Sequence, residues 1–127
     1  MRVVDTSAWL EWFVNSPAGG AVGLHLPAPG EWLVPTIVQL ELTKWLTREV
    51  GEEAADRTMA LSSTFQVIPL DTPIALSAAE ICAANKLATA DAIVYATALA
   101  HGADVLTCDA AFKDLPGVIF VGKTSSA

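Results

Sequence analysis

Four acidic side chains stand beyond stretches that read as strands. Asp5 closes the β-branched run at residues 2–5 and is followed by Thr6-Ser7. Glu41 lies about one and a half turns into a helical pattern opened by Thr36. Asp91 sits in the first turn of the helix Thr89-Ala90-Asp91-Ala92, and Asp109 follows Leu106-Thr107-Cys108. Each has an ordinary explanation taken alone. Asp5 reads as a helix cap, Glu41 as a solvated helix carboxylate, Asp91 as a group favoured by the helix dipole, and Asp109 as a turn residue. Gathered together they would repel, by about 4 kcal/mol for two carboxylates 4 Å apart at an effective dielectric near 20. No arginine motif stands nearby to offset this. A hard divalent cation would, since Mg2+ and Mn2+ prefer carboxylate oxygens and retained waters.

Positioning such a cluster requires an open α/β sheet. Apolar strand-like runs at residues 2–5, 32–35, 66–70, 105–107 and 118–121 alternate with helical patterns, which predicts five short parallel strands with helices on both faces. Helices are expected at 6–14, 36–50, 52–63, from Thr72 to about Lys86, and from Thr89 to His101, with a helical turn at 110–115. Residues 18–26 read as a helix weakened by Gly19, Gly20 and Gly23, after a stop at Asn15-Ser16-Pro17. Thr72 and Thr89 are expected as helix caps. In sheets of this kind, sites form outside the carboxyl ends of the strands, where all four acids fall.

The 127 residues fit one domain, 1–127, with 122–127 as a short tail. The composition is 53% hydrophobic and only 17% charged, so some apolar surface is expected to be covered by a partner or a second copy. Trp9, Trp12, Trp32 and Trp45 fit core or interface packing better than base stacking. Cys82 and Cys108 lack any Cys-x-x-Cys pattern and read as reduced thiols. Aspartate appears before any signal-like apolar stretch, and no apolar run is long enough to span a membrane, so a cytoplasmic protein is expected. The net charge of −7 is unusual for a protein that handles nucleic acid, unless metal ions supply positive charge at the site or the acidity serves a basic partner.

At the acidic positions the chain resembles the PIN domain family, of the VapC toxin type. The resemblance rests on Val3-Val4-Asp5-Thr6-Ser7, Leu40-Glu41-Leu42, the stretch from Asp91 to Ala98, Val105-Leu106-Thr107-Cys108-Asp109-Ala110-Ala111-Phe112, and Leu115-Pro116-Gly117-Val118. It covers essentially the whole chain, and the order and spacing of these pieces are more specific than any one of them. It implies a three-layer α/β/α fold and Mg2+- or Mn2+-dependent hydrolysis of single-stranded RNA. It also implies the role of toxin beside a VapB-like antitoxin, and a homodimer. Asp5, Glu41, Asp91 and Asp109 match the family's acidic positions, and Ser7 and Thr107 match positions where a hydroxyl supports them. A cation held there would make hydroxide available near neutral pH and stabilise charge on phosphoryl oxygens. Asp5, Asp91 and Asp109 are expected as ligands, directly or through water. Glu41 is expected as a ligand or as the group that orients the attacking water. Products should carry 5′-phosphate and 3′-hydroxyl ends. The low basic content and the glycine-rich region at 17–30 depart from the family pattern.

Lys44 and Arg48 share a helix face with Glu41, at i+3 and i+7, where they would meet RNA phosphates or form a solvated ion-pair stripe. The metal-free histidine route has only His25 and His101 to draw on. His25 lies in the glycine-rich segment, and His101 reads as a helix-end residue. A receiver-like module would use Asp71 and Lys123, but it needs an acidic pair after the first strand. A phosphatase would want aspartate at position 7, where Ser7 stands. A catalytically inactive binding module is the remaining alternative.

Overall fold

The first two of the short strands in this chain run straight into a helix start. In a computed structural model, which describes residues 1–123, the strands are β1 (Arg2–Val4), β2 (Trp32–Pro35), β3 (Gln66–Ile68), β4 (Asp104–Thr107) and β5 (Val118–Phe120). All pair in parallel, in the order β3-β2-β1-β4-β5. The chain winds outward from β1 through β2 to β3, then returns to the other side of β1 for β4 and β5. The strand order therefore reverses between β1 and β4, where the carboxyl ends open a crevice. Every residue of β2 is buried, as expected of a parallel strand covered on both faces.

The connecting helices are α1 (Thr6–Phe13), α2 (Pro17–Gly23), α3 (Thr36–Glu49), α4 (Glu52–Ser62), α5 (Thr72–Asn85) and α6 (Thr89–Ala100). They flank the sheet on both sides, giving the expected α/β/α layers. Helix α6 packs on β1, β2 and β4, and its residues 92–98 are buried without a break. Small alanines let it lie close to the sheet while Ile93, Val94 and Tyr95 fill the core. Crossover helices in a parallel sheet run back against the strands. The first turn of α6, with Asp91, therefore meets the edge where β1 and β4 end. Helix α3 packs on both α1 and α6, bringing Glu41 to the same edge.

Several local expectations shift. The weak helix forms, but it is only seven residues long. Ser16 caps it through the Gly19 N–H, Pro17 occupies the first turn, and Asn15 takes the left-handed conformation that ends the previous helix. A Cβ at Gly19 would collide with the Glu11 carbonyl, so this glycine allows α1 and α2 to touch. Asp71, not Thr72, caps α5, because its carboxylate accepts from the Ile74 N–H at 3.0 Å. Thr89 lies inside α6, whose cap position is Ala88 without a side-chain hydrogen bond. Strand β3 stops at Ile68, two residues short of its expected end, and Leu70 N instead donates to the Thr36 hydroxyl. The helical turn expected at 110–115 is a 3-10 turn at Ala110–Phe112, and a second one, Pro29–Glu31, precedes β2. Of the tail expected at 122–127, residues 124–127 lie outside the described residues. No helix among the described residues is long and apolar enough to cross a membrane.

Candidate active site

Asp5 occupies the cap position of α1, yet its side chain makes no capping hydrogen bond. Its Oδ2 instead accepts from the Ser7 and Thr107 hydroxyls, both at 2.8 Å. Those hydroxyls lie 3.1 Å apart. Ser7 Oγ accepts from the Cys108 N–H, and Thr107 Oγ1 from the Asp109 N–H, both at 3.0 Å. Each hydroxyl thus accepts a hydrogen bond from a backbone N–H just beyond β4 and donates its own to Asp5, which fixes that carboxylate between β1 and β4. Thr107 is fully buried and Asp5 nearly so. Burial pushes the Asp5 carboxyl above the usual carboxylate range. The two hydroxyls pull against that shift, and the nearby charge of Glu41 adds to it.

Glu41 reaches toward α1, where Thr6 donates its hydroxyl to Oε1 at 2.7 Å. Asp109 follows β4 and accepts the Ala111 N–H at 2.9 Å, so it is a turn cap as well as a member of the cluster. Asp91 is pushed up to about 7, first by burial, then by the charges of Asp109, Asp5 and Glu41, and by a hydrogen bond with Asp109. No cation is among the groups that shift Asp5 or Asp91. The sequence-expected carboxylates thus feel one another through space, as an acidic centre without a counter-charge of its own.

Among the described residues, no group of three or more carboxylate, histidine or cysteine side chains is placed so that it could hold a metal ion as it stands. The donor set is nonetheless all oxygen and strongly anionic, and Asp91 and Asp109 have hydrogen-bonding reach of each other. That suits a hard divalent ion that keeps several waters in its own shell. Asp5, Asp91, Asp109 and Glu41 are the residues that would hold it.

The other candidates separate. Lys44 and Arg48 line a cleft with Glu41, Thr6, Leu10 and Trp45, and Arg48 also meets Glu49 at 3.0 Å on the exposed helix face. His101 sits at the far end of α6, ten residues and about 15 Å from Asp91 by helical rise. His25 is exposed and contributes its carbonyl to Arg2. Trp9 and Trp32 are core residues, with ring centres 5.0 Å apart, and Trp32 stacks on Phe65 at 4.5 Å. Trp12 is exposed at the edge of this cluster. The Cys108 thiol is buried and pushed up to about 11, which leaves it unreactive. Asp71 serves as a helix cap, so the receiver-like reading loses its phosphoacceptor. Thr6 is the functional candidate that sequence reasoning missed. Its position next to Asp5 was visible, but nothing in the sequence pairs it with a glutamate 35 positions away.

Residues 2–118 match the family model of the PIN domain. The chain belongs to the PIN domain family. Solved structures similar to this PIN domain include a toxin–antitoxin complex from Klebsiella pneumoniae, at TM-score 0.79 and 24% identity, covering 94% of this chain and 96% of that one. The sarcin–ricin-loop-cleaving toxin VapC20 from Mycobacterium tuberculosis aligns at TM-score 0.77 and 21% identity, over 93% of this PIN domain and 97% of that chain. FitAcB from Neisseria gonorrhoeae aligns at TM-score 0.75 and 22% identity, over 94% and 96%. No curated protein matches the sequence.

Proposed function

We propose that this PIN domain is a metal-dependent endoribonuclease, the toxin of a type II toxin–antitoxin pair in the cytoplasm. One observation carries the reading. Acidic side chains from four separate segments are coupled by charge at the carboxyl edge of β1 and β4, and no cation is among the groups that shift Asp5 or Asp91. Repulsion of this kind is a standing cost that a stability-driven site would relieve, and it is typical of places tuned for chemistry.

The chain's own groups divide the work. Ser7 and Thr107 hold Asp5 in one orientation, and Thr6 does the same for Glu41. Asp91 and Asp109 complete the anionic wall. Mg2+ or Mn2+ bound by this set would acidify water and stabilise charge developing on the phosphoryl oxygens. Glu41, steered by Thr6, orients the attacking water or adds an oxygen donor. Asp91, with its proton held to near neutrality, would have to release that proton to solvent in order to serve as a ligand to such a cation.

The toxin role draws support from the toxin–antitoxin complex and the VapC20 toxin among the neighbours, which match this chain over nearly their full length. An exposed apolar cleft of about 280 Å³ between Trp12, Phe13 and Leu61 favours a protein partner, a VapB-like antitoxin. An antitoxin arginine seated among the acids would replace the metal, and a homodimer belongs to the same reading. The test is incubation of purified protein with RNA in Mg2+ or Mn2+ and then in EDTA, beside an Asp5→Asn variant. Cleavage should need the metal and Asp5 and leave 5′-phosphate ends. Cutting that continues in EDTA would overturn the mechanism.

A further inference from the structure

With seven lysines and arginines against fourteen acids, this chain has little positive charge to place near RNA. Two of the seven are engaged elsewhere, Arg2 with Asp104 and Arg57 with Glu53. Three others line clefts that open on either side of the acidic centre. The first cleft, of about 200 Å³, lies beyond Glu41 and is walled by Lys44, Arg48 and the half-buried Trp45. The second, of about 510 Å³, lies beyond Asp109 and is walled by Cys108, Phe120 and Lys123. Lys113 stands over the Phe120 ring, with Nζ 6.0 Å from its centre, and adds charge beside that cleft. Thr6 lines the first and Ser7 the second. The two clefts therefore part at consecutive residues immediately after Asp5.

Resting on the nuclease reading above, we propose that a single RNA strand crosses Asp5 with one unpaired base in each cleft. Trp45 and Phe120 offer the aromatic surfaces. Lys44 and Arg48 on one side, and Lys123 on the other, hold the phosphates that flank the scissile one. The pairing of an aromatic with cations in each cleft is the pattern of single-strand binding, in which every base brings a ring face and every linkage a charge. A duplex keeps its bases stacked inside and could not use either aromatic. The arrangement also explains how so acidic a protein can hold RNA: the cations of the two clefts stand next to the acids that would otherwise repel the phosphates.

The experiment is binding of a labelled single-stranded oligoribonucleotide to the full chain, by fluorescence anisotropy in EDTA, over a range of salt. Lys123→Ala should lower the salt slope of log K by about 0.7, and Lys44→Ala with Arg48→Ala by about 1.4, with unchanged melting temperature. Joining the two sets should add their effects. Trp45→Leu should weaken binding by at least about fivefold, and Trp45→Phe should restore most of it. Trimming the RNA from one end should make binding indifferent to the variants of one cleft, and trimming from the other end indifferent to those of the other. The proposal is overturned if Lys123→Ala leaves affinity and slope unchanged. It is equally overturned if these variants lose a co-expressed antitoxin while keeping RNA. Either result, beside wild-type protein that still cuts RNA only with metal, sinks the clefts and spares the nuclease. Wild-type protein that neither binds nor cuts RNA sinks the nuclease reading itself.

Discussion

At the amino ends of β1 and β4, Arg2 grips Asp104 through two hydrogen bonds, 2.7 and 3.1 Å long. Three residues further along the same strand pair, about 10 Å by strand rise, Asp5 is held by the Ser7 and Thr107 hydroxyls, and the charge that shifts it is that of another acid, Glu41. Both ends join the same two neighbours in the sheet. One does so with opposite charges that cancel at a half-exposed position. The other uses hydroxyl donors on a buried carboxylate and leaves the charge uncancelled. The first arrangement serves the fold. The second stores repulsion that a proton relieves at low pH and that a cation from outside would relieve at neutral pH, and that difference sets apart the end of the crevice where we propose catalysis.

The strongest way to break this contrast is Asp5→Asn. The amide oxygen can still accept from Ser7 and Thr107, so the fold should be unharmed. Loss of the buried charge should hold or raise the melting temperature while metal-dependent RNA cleavage falls by at least about a hundredfold. A variant that loses stability and activity in step would make Asp5 a structural residue like Asp104.

Next in size is Thr107→Val, which keeps the shape and deletes the hydroxyl. The Asp109 N–H and one bond to Asp5 lose their partner, which should cost about 1–3 kcal/mol of stability. Support of this kind around a metal ligand is worth about 10–100-fold in metal affinity or activity. Thermal melting and a Mn2+ titration on the same preparation check both numbers. Full metal affinity in the variant would mean that Ser7 alone orients Asp5.

Titration sharpens the contrast further. Folded Asp91 keeps its proton up to about pH 7, whereas in an unfolded chain an aspartate releases it near pH 4. Its contribution to stability is therefore complete below about pH 4 and fades as the pH rises to 7, and buried Asp5 acts in the same direction. Metal-free protein should melt at lower temperature at pH 7.5 than at pH 5.5. Added Mg2+ should raise the melting temperature more at pH 7.5, because the ion no longer has to displace the proton. EDTA should reverse that gain. A melting temperature that rises with pH in EDTA would contradict the repulsion on which the comparison stands.

How far this division was legible before the fold depended on range. The strands and the long helices came through, because valine-rich runs and helical periodicity are local signals. The four acids were also visible: Asp5 and Asp109 follow strands closely, Asp91 lies in a first helical turn, and Glu41 lies in the second turn of the helix after a strand. Their convergence was not readable from spacing alone and leaned on family resemblance. What escaped the sequence was non-local. The Thr6–Glu41 bond joins α1 to α3, and the cleft of Phe120 and Lys123 forms only when β5 pairs with β4. The misplaced caps at Thr72 and Thr89 have a different cause. At α5, Asp71 and Thr72 can both cap in principle and the Asp71 carboxylate takes the role, whereas α6 simply starts one residue earlier, after Ala88, which has no side chain to cap with.

The smallest expected effect tests the quiet end of the crevice. Arg2→Met keeps most of the apolar stem and removes the guanidinium, which also donates to the His25 carbonyl at 2.6 Å. Asp104 remains partly exposed, with 36% of its side chain open to water, so solvent can take over much of the lost pairing. The cost should be about 1 kcal/mol or less, a drop of a few degrees in melting temperature, with the cleavage rate per folded molecule unchanged. The informative measurement is the double variant with Asp5→Asn. Sites about 10 Å apart with no shared partner should add within about 0.5 kcal/mol. A larger coupling would mean that the ion pair sets the register of β1 against β4 finely enough to tune Asp5. The neutralised end would then be part of the catalytic apparatus.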